Sequence, residues 1–365
     1  MKIITIFPKD SEALFNRYSQ RTFGGADIQM YLITRELKSL EGIEVFSFII
    51  NYPRIDFNDG SDFNLIKTYS ESDNLFKKFF IYHSIIKDIR PDVIIQRGLT
   101  LFSCLLALYC RVKRIKFVFM FAHDIESRGR YQKNQKKCLL FPVLLSSAYK
   151  LIVQNGYEYK QLITKTQQKK IKIIKKGLDL KKIPQKKVKL YDAVWVARCE
   201  PWKNPEIFIE LARRNKEYAF LMICSRVADK EDYFIKIKSE AQKNSNIIFI
   251  DFINNNQIYD LLSQSRIFCI TSQLEGDWPM AVLEAAATGL PILSLNLNYG
   301  DLFDKYNAGY HSKDIEHLCE DFLTLVNDKK LYDIQSENAK RYINENHLLS
   351  VNIKTLVNII SGAHP

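Results

Sequence analysis

The feature that most constrains this chain is a repeated alternation of short, solidly apolar runs with segments of helical period. The runs are IITIF, VFSFII, DVIIQ, KFVFMFA, KLIVQ and IKIIK in the first half, then AVWVA, FLMIC, NIIFI, IFCIT and PILSL. Between them lie stretches such as GADIQMYLITRELKSL and NPEIFIELARRN, with apolar residues at helical spacing. Apolar runs without polar alternation are strands buried on both faces. Strand alternating with helix means parallel sheets covered on both sides.

The alternation pauses between Lys175 and Leu190, in KKGLDLKKIPQKKVKL, which is rich in lysine and poor in apolar residues. A chain of 365 residues is too long for one ordinary core, so this stretch reads as a linker between two doubly wound α/β domains of Rossmann type. The expected division is residues 1–185, residues 186–345, and a closing helix at 346–365 that packs back toward the N-terminal domain. After Leu295 the strands are expected to stop. Two such domains would face each other across a cleft, with ligands bound beyond the carboxyl ends of the strands.

Composition narrows the partners. Lysine and arginine outnumber aspartate and glutamate 53 to 41, a net charge of +12, so the field favours anionic ligands or surfaces. No aromatic-and-basic RNA motif accompanies that charge, and nucleic acid is not an expected partner. The seven cysteines are scattered, without a C-x-x-C pair, as befits reduced thiols in a cytoplasmic protein. No three-part signal peptide is visible, and no apolar run reaches the roughly 20 residues that span a bilayer. A D-x-D metal site, a phosphate-binding G-x-x-x-x-G-K loop, H-E-x-x-H and G-x-S-x-G are all missing, and no metal is expected.

The candidate residues follow strands. Gly24 and Gly25 open a helix after the first strand, where backbone amides can approach a phosphate, although a plain turn has the same look. His123, directly after KFVFMFA, suits hydrogen bonding to a substrate hydroxyl or satisfaction of a strand end. Arg198 and Lys203 follow AVWVA and precede a helix starting near Asn204 and Pro205, with Asn204 as N-cap; two cations at a helix start make a diphosphate site. In EGDWPMAVLEAAATGLPIL, Pro279 begins a helix through Thr288 that Gly289 and Pro291 end. Glu275 is then a loop carboxylate and Glu284 a helix carboxylate, able to accept two hydrogen bonds from a vicinal diol.

Together these motifs resemble the retaining glycosyltransferases of family 4, which have the GT-B fold. GGADIQMYLITREL, AHDIES, IIKKGLDLKKI, VARCEPWKNPE and EGDWPMAVLEAAATGLPIL carry the resemblance over nearly the whole chain. It implies that Arg198 and Lys203 hold the diphosphate of a nucleotide-sugar donor and that Glu284 binds its ribose. Glu275 would hold donor-sugar hydroxyls, Gly24 and Gly25 would lie near the phosphates, and His123 would contact the sugar. The family needs neither cofactor nor metal, and its acceptor here would be a glycan or a lipid-linked glycan of bacterial surface polysaccharide assembly. The spacer between Glu275 and Glu284 is one residue longer than the family pattern, so Asp277 is a rival for the role of Glu275. Lys176 replaces the usual Asn before Gly177, and SRVADK replaces the glycines often found after FLMIC.

RYQKNQKKCLLFPVLLSSAYK joins Lys133, Lys136 and Lys137 to an apolar run, as a helix lying on an anionic membrane does; a buried helix with a basic start explains it equally. The altered spacing keeps two alternatives open: a non-catalytic GT-B binding or scaffolding protein, and a sugar-nucleotide epimerase.

Overall fold

A computed structural model describes residues 1–16, 24–52, 63–131, 136–184, 187–227, 230–253, 257–299 and 301–362, apart from the side chain at 182. The chain divides into two compact units, Met1–Gly177 with Leu349–Pro365, and Leu178–Leu348. Each is built on one parallel sheet, and the fold is of the GT-B class.

The first sheet runs β3-β2-β1-β4-β5-β6-β7. Its strands are β1 (Lys2–Ile6), β2 (Glu44–Ile49), β3 (Asn64–Lys67), β4 (Val93–Arg97), β5 (Lys116–Met120), β6 (Lys150–Val153) and β7 (Ile171–Ile173). Successive residues feed opposite cores, as strand geometry requires. Ile4, Ile94, Phe117 and Phe119 face one core, and Ile3, Val93, Ile95 and Val118 the other. The first core is closed by helices Leu75–Ile89, Leu101–Val112 and Phe141–Ser147. The second is closed by Gly25–Lys38 and by Leu349–Ser361, whose Ile353, Leu356 and Ile360 are buried there.

The second sheet runs β10-β9-β8-β11-β12-β13, from β8 (Tyr191–Arg198), β9 (Phe220–Ser225), β10 (Ile247–Ile250), β11 (Ser265–Ile270), β12 (Ile292–Ser294) and β13 (Gly309–His311). Its inner strands β9 and β11 are almost wholly buried and β8 is buried through its centre, Ala193–Trp195, with Trp195, Phe220 and Met222 packed against Phe208, Phe234 and Phe322. Two strands escape the apolar pattern. β3 is a half-exposed edge strand, and β13, a three-residue edge strand pairing Gly309 with Ile292, corrects the expectation that strands stop after Leu295.

The division falls at Gly177, near the start of the lysine-rich stretch. Gln29 bonds both the N–H and the carbonyl of Gly177 at 2.8 Å. A Cβ on Gly177 would come within 2.9 Å of the Leu349 backbone, so the outgoing and returning chains pass too closely there for any side chain. Leu178 N–H in turn donates to the His347 carbonyl at 2.8 Å. All seven cysteines are free, and all but Cys319 are buried.

Candidate functional site

In the second unit, β8 ends at Arg198 and is followed by a tight turn, Pro201–Lys203, and the helix Pro205–Arg214. Asn204 stands at the N-cap and Pro205 opens the helix, as expected, but Asn204 is in the left-handed conformation, φ 50°, and its side chain makes no capping bond. Thr271, just after β11, holds this turn. Its hydroxyl accepts from the Trp195 indole at 2.9 Å and donates between the carbonyls of Lys203 (2.8 Å) and Asn204 (2.9 Å). Lys203 is thereby drawn inward, 8% exposed, with Nζ on the Glu275 carboxylate and 4.1 Å from the centre of the Trp202 ring. Burial pushes the Lys203 ammonium below the ordinary lysine range, while Glu275 works to keep it charged. Arg198 is half-exposed and pairs with Glu200 at 2.9 Å; its charge also bears on Lys203.

Glu275 sits on a loop clamped from a distance. The Tyr299 hydroxyl accepts from the Glu275 N–H at 3.0 Å and donates to the Glu275 carbonyl. Trp278 is 1% exposed, donates its indole N–H to the Tyr299 carbonyl at 2.9 Å, and packs edge-on against Tyr299 and Phe303. Trp278 thus turns inward and anchors the segment between Glu275 and Glu284. Asp277 lies elsewhere: its charge acts on Tyr342, whose phenol is pushed up by burial first and by Asp277 and Asp301 after it. Glu275, not Asp277, stands with Lys203.

Pro279 occupies the N-cap of the next helix, Met280–Ala287, rather than its first turn. Gly289, at φ 82°, ends that helix in the conformation glycine adopts most readily. Glu284 is 7% exposed, so it is no solvated helix residue. It lies close enough to Tyr259 that its charge, with that of Asp179, adds to the burial that raises the Tyr259 phenol. Lys203 and Glu275 line one depression with Ser272, Pro279 and Ala281, at the start of Met280–Ala287, where helix polarity favours an anion. Lys203, two residues before Pro205–Arg214, thus also lies beside the start of Met280–Ala287.

The first unit is built differently. Gly24 is the N-cap of Gly25–Lys38, but its N–H donates to Asp27 Oδ2 at 2.8 Å, and Asp27 Oδ1 accepts from the Ser11 hydroxyl at 2.6 Å. That amide is taken within the helix cap. His123 caps the short helix Asp124–Ser127 after β5. Its Nδ1 is 2.7 Å from Asp124 Oδ1 and 3.2 Å from the Ile125 nitrogen. Nδ1 accepts the Ile125 N–H, which is what makes His123 the cap of this helix. Burial opposes the Asp124 carboxylate, but the His123 bond, the charges of His123 and Arg128 and the Ile125 N–H together outweigh it, and the pKa is lowered. Glu126, fully buried, accepts from Leu99 N–H and Ala122 N–H, both at 2.9 Å, and ties the loop after β4 to the loop that carries His123.

Of the basic segment, Lys133 lies outside the described residues. Arg130 and Lys137 form an antiparallel bridge, and the helix that follows is only Phe141–Ser147, with Phe141, Leu144 and Leu145 in the core. Leu139, just before that helix, is 82% exposed. Thr271, Tyr299, Tyr259 and Glu126 escaped the sequence reading, since nothing in their local sequence marks a partner so distant. Among the described residues, no three or more His, Cys, Asp or Glu side chains are grouped to hold a metal ion.

Residues 178–342, nearly the whole second unit, match the family described as "Glycosyl transferases group 1". This match covers under half of the chain. The chain is 29% identical over 156 residues to the Escherichia coli UDP-Gal:alpha-D-GlcNAc-diphosphoundecaprenol alpha-1,3-galactosyltransferase, a match covering 40% of this chain and 39% of that protein. It is 26% identical over 141 residues to an uncharacterized glycosyltransferase of Haemophilus influenzae, covering 38% of each. The chain thus spans about two-fifths of the length of the curated relatives it matches. A likeness of fold extends further. The structure of Anabaena Alr3699/HepE in complex with UDP and glucose is similar with a TM-score of 0.75 at 14% identity, over 99% of this chain and 100% of that one. The group 1 match contains Lys203, Glu275, Asp277 and Glu284, while Gly24, Gly25 and His123 lie outside it.

Proposed function

We propose that this chain is a retaining, metal-independent hexosyltransferase of family 4 type. It moves a sugar from a nucleoside-diphosphate sugar to a glycan or lipid-linked glycan in bacterial surface polysaccharide or glycoconjugate assembly, in the cytoplasm at the inner face of the membrane. The observation that carries this reading is the buried Lys203–Glu275 pair beside the start of Met280–Ala287, with Glu284 buried in that same helix. Lys203, Arg198 and the helix start supply the positive charge that a departing diphosphate needs, the task a metal has in other transferases. Glu284 accepts the two ribose hydroxyls, and Glu275 accepts hydroxyls of the sugar. The bond from the anomeric carbon to the diphosphate oxygen breaks, the bond to the acceptor oxygen forms on the same face, and the acceptor proton passes to the departing phosphate. The E. coli relative named for a UDP-sugar and a diphosphoundecaprenol-linked acceptor, and the UDP bound to HepE, favour the same substrate classes.

The test is a thermal-shift screen against UDP-, GDP- and ADP-sugars, followed by assay for slow hydrolysis of any donor that binds. A selective response to one base with release of its sugar is expected. No response to any of them would mark a non-catalytic binding protein.

A further inference from the structure

Among the described residues, the most exposed aromatic side chains of the first unit lie far in sequence from the residues discussed so far. On helix Leu75–Ile89, Phe76 is 78% and Phe80 66% exposed; four residues apart, they share one stripe. On helix Leu101–Val112, Leu108 and Val112, also four apart, are 44% and 71% exposed. The two stripes belong together. Phe79 meets Tyr109 edge-on at 5.4 Å, and His83 Nδ1 bonds the Tyr109 hydroxyl at 3.0 Å. Phe76 and Phe80 thus flank one side of an aromatic seam, and Leu108 and Val112 the other.

Cations surround this seam. Lys77 and Lys78 lie between the two phenylalanines, and Arg111, Lys113 and Arg114 bracket Val112 and are exposed. From Val93 through His123 the chain contains no acidic residue. Lys77 pairs with Asp73 at 2.7 Å, Lys78 lies over the Tyr69 ring at 4.4 Å, and Arg111 donates to the Ser146 carbonyl at 3.3 Å. The arrangement is two amphipathic helices with apolar crests and a basic fringe. Apolar groups raised on helix surfaces enter the acyl boundary of a bilayer while lysine and arginine stay at the headgroups. Charge selects the partner, because a basic fringe draws the protein to anionic lipid and away from a neutral surface.

We infer that the seam of helices Leu75–Ile89 and Leu101–Val112 is an interfacial membrane anchor, inserting Phe76, Phe80, Leu108 and Val112 into an anionic phospholipid surface. The anchor places membrane contact here rather than at Lys133–Lys137. It stands independently of the donor-site reading, since vesicle binding needs no donor.

The full-length protein is sedimented with phosphatidylcholine vesicles and with vesicles containing phosphatidylglycerol. Wild type binds the anionic vesicles, in a salt-sensitive manner, and binds the neutral ones weakly. Phe76→Ser/Phe80→Ser lowers the partition by about a hundredfold, with thermal unfolding and donor-induced thermal shift unchanged. Lys113→Glu/Arg114→Glu, which removes no apolar group, lowers anionic binding about tenfold and flattens its salt dependence; it decides the matter if the serine variant does not fold. Failure of wild type to bind anionic vesicles overturns the inference. So does equal binding by both variants, or a solution dimer that Phe76→Ser/Phe80→Ser converts to monomer without vesicle binding, since the seam then joins two copies of the chain.

Discussion

The carboxyl edges of the two sheets are stabilised over different ranges of sequence. In the second unit, Lys203 meets a carboxylate 72 residues away and its main chain is held by Thr271, while Glu275 is clamped by Tyr299, 24 residues on. In the first unit, Gly24 is bonded by Asp27 and His123 by Asp124, their near neighbours. Local bonds of that kind fix a helix cap, whereas bonds between distant segments fix one functional group relative to another. The second unit therefore presents a preassembled charge cluster. The first presents loops, tied together by the buried carboxylate of Glu126, on which His123 is oriented only by its neighbour.

Four substitutions test this contrast, from the largest effect to the smallest. Glu284→Gln removes a buried, charge-assisted acceptor. Two such hydrogen bonds are worth about 3–5 kcal/mol together, so kcat/KM should fall by at least about a hundredfold, read by donor titration of a protein with unchanged far-UV circular dichroism. Undiminished turnover removes Glu284 from the site. Lys203→Ala strands a buried carboxylate and should cost about 3 kcal/mol in urea unfolding as well as turnover. Adding Glu275→Ala should restore much of the stability without restoring activity. If the double variant is as unstable as the single, the pair is not what stabilises this edge.

Tyr299→Phe keeps the ring against Trp278 but removes the hydroxyl clamp. A loss of about 1 kcal/mol and a five- to tenfold drop in kcat/KM are expected, carried mainly by KM. The smallest effect on the donor is expected from His123→Ala, which should leave nucleotide binding unchanged by calorimetry while slowing transfer severalfold. A fall in nucleotide affinity as large as that of Glu284→Gln would break the contrast between the units.

Much of the fold could be read from the chain because buried parallel strands have a one-dimensional signature: β1, β4, β5, β8, β9 and β11 are continuous apolar runs and sit in the centres of their sheets. β3 and β13 could not, since edge strands three or four residues long bury too little to leave such a trace. At the candidate site, the helix bearing Glu284 was legible from Pro279 to Gly289, because its start and stop are local chemistry. Asn204 is at the N-cap, as its sequence suggests, but its side chain does not cap, because a left-handed junction after a tight turn looks in sequence like an ordinary N-cap.

By itself, then, the sequence determined two parallel α/β units, the order of their elements and the helix on which Glu284 lies; each depends on periodicity, capping and turn residues within a dozen positions. Only the tertiary structure decided that Lys203 turns inward to Glu275, that the charge of Asp277 bears on Tyr342, and that Trp278 is buried against Tyr299. Those outcomes depend on which distant segments the folded sheet brings together, and the energy of an ion pair or an indole hydrogen bond exists only after that packing is complete.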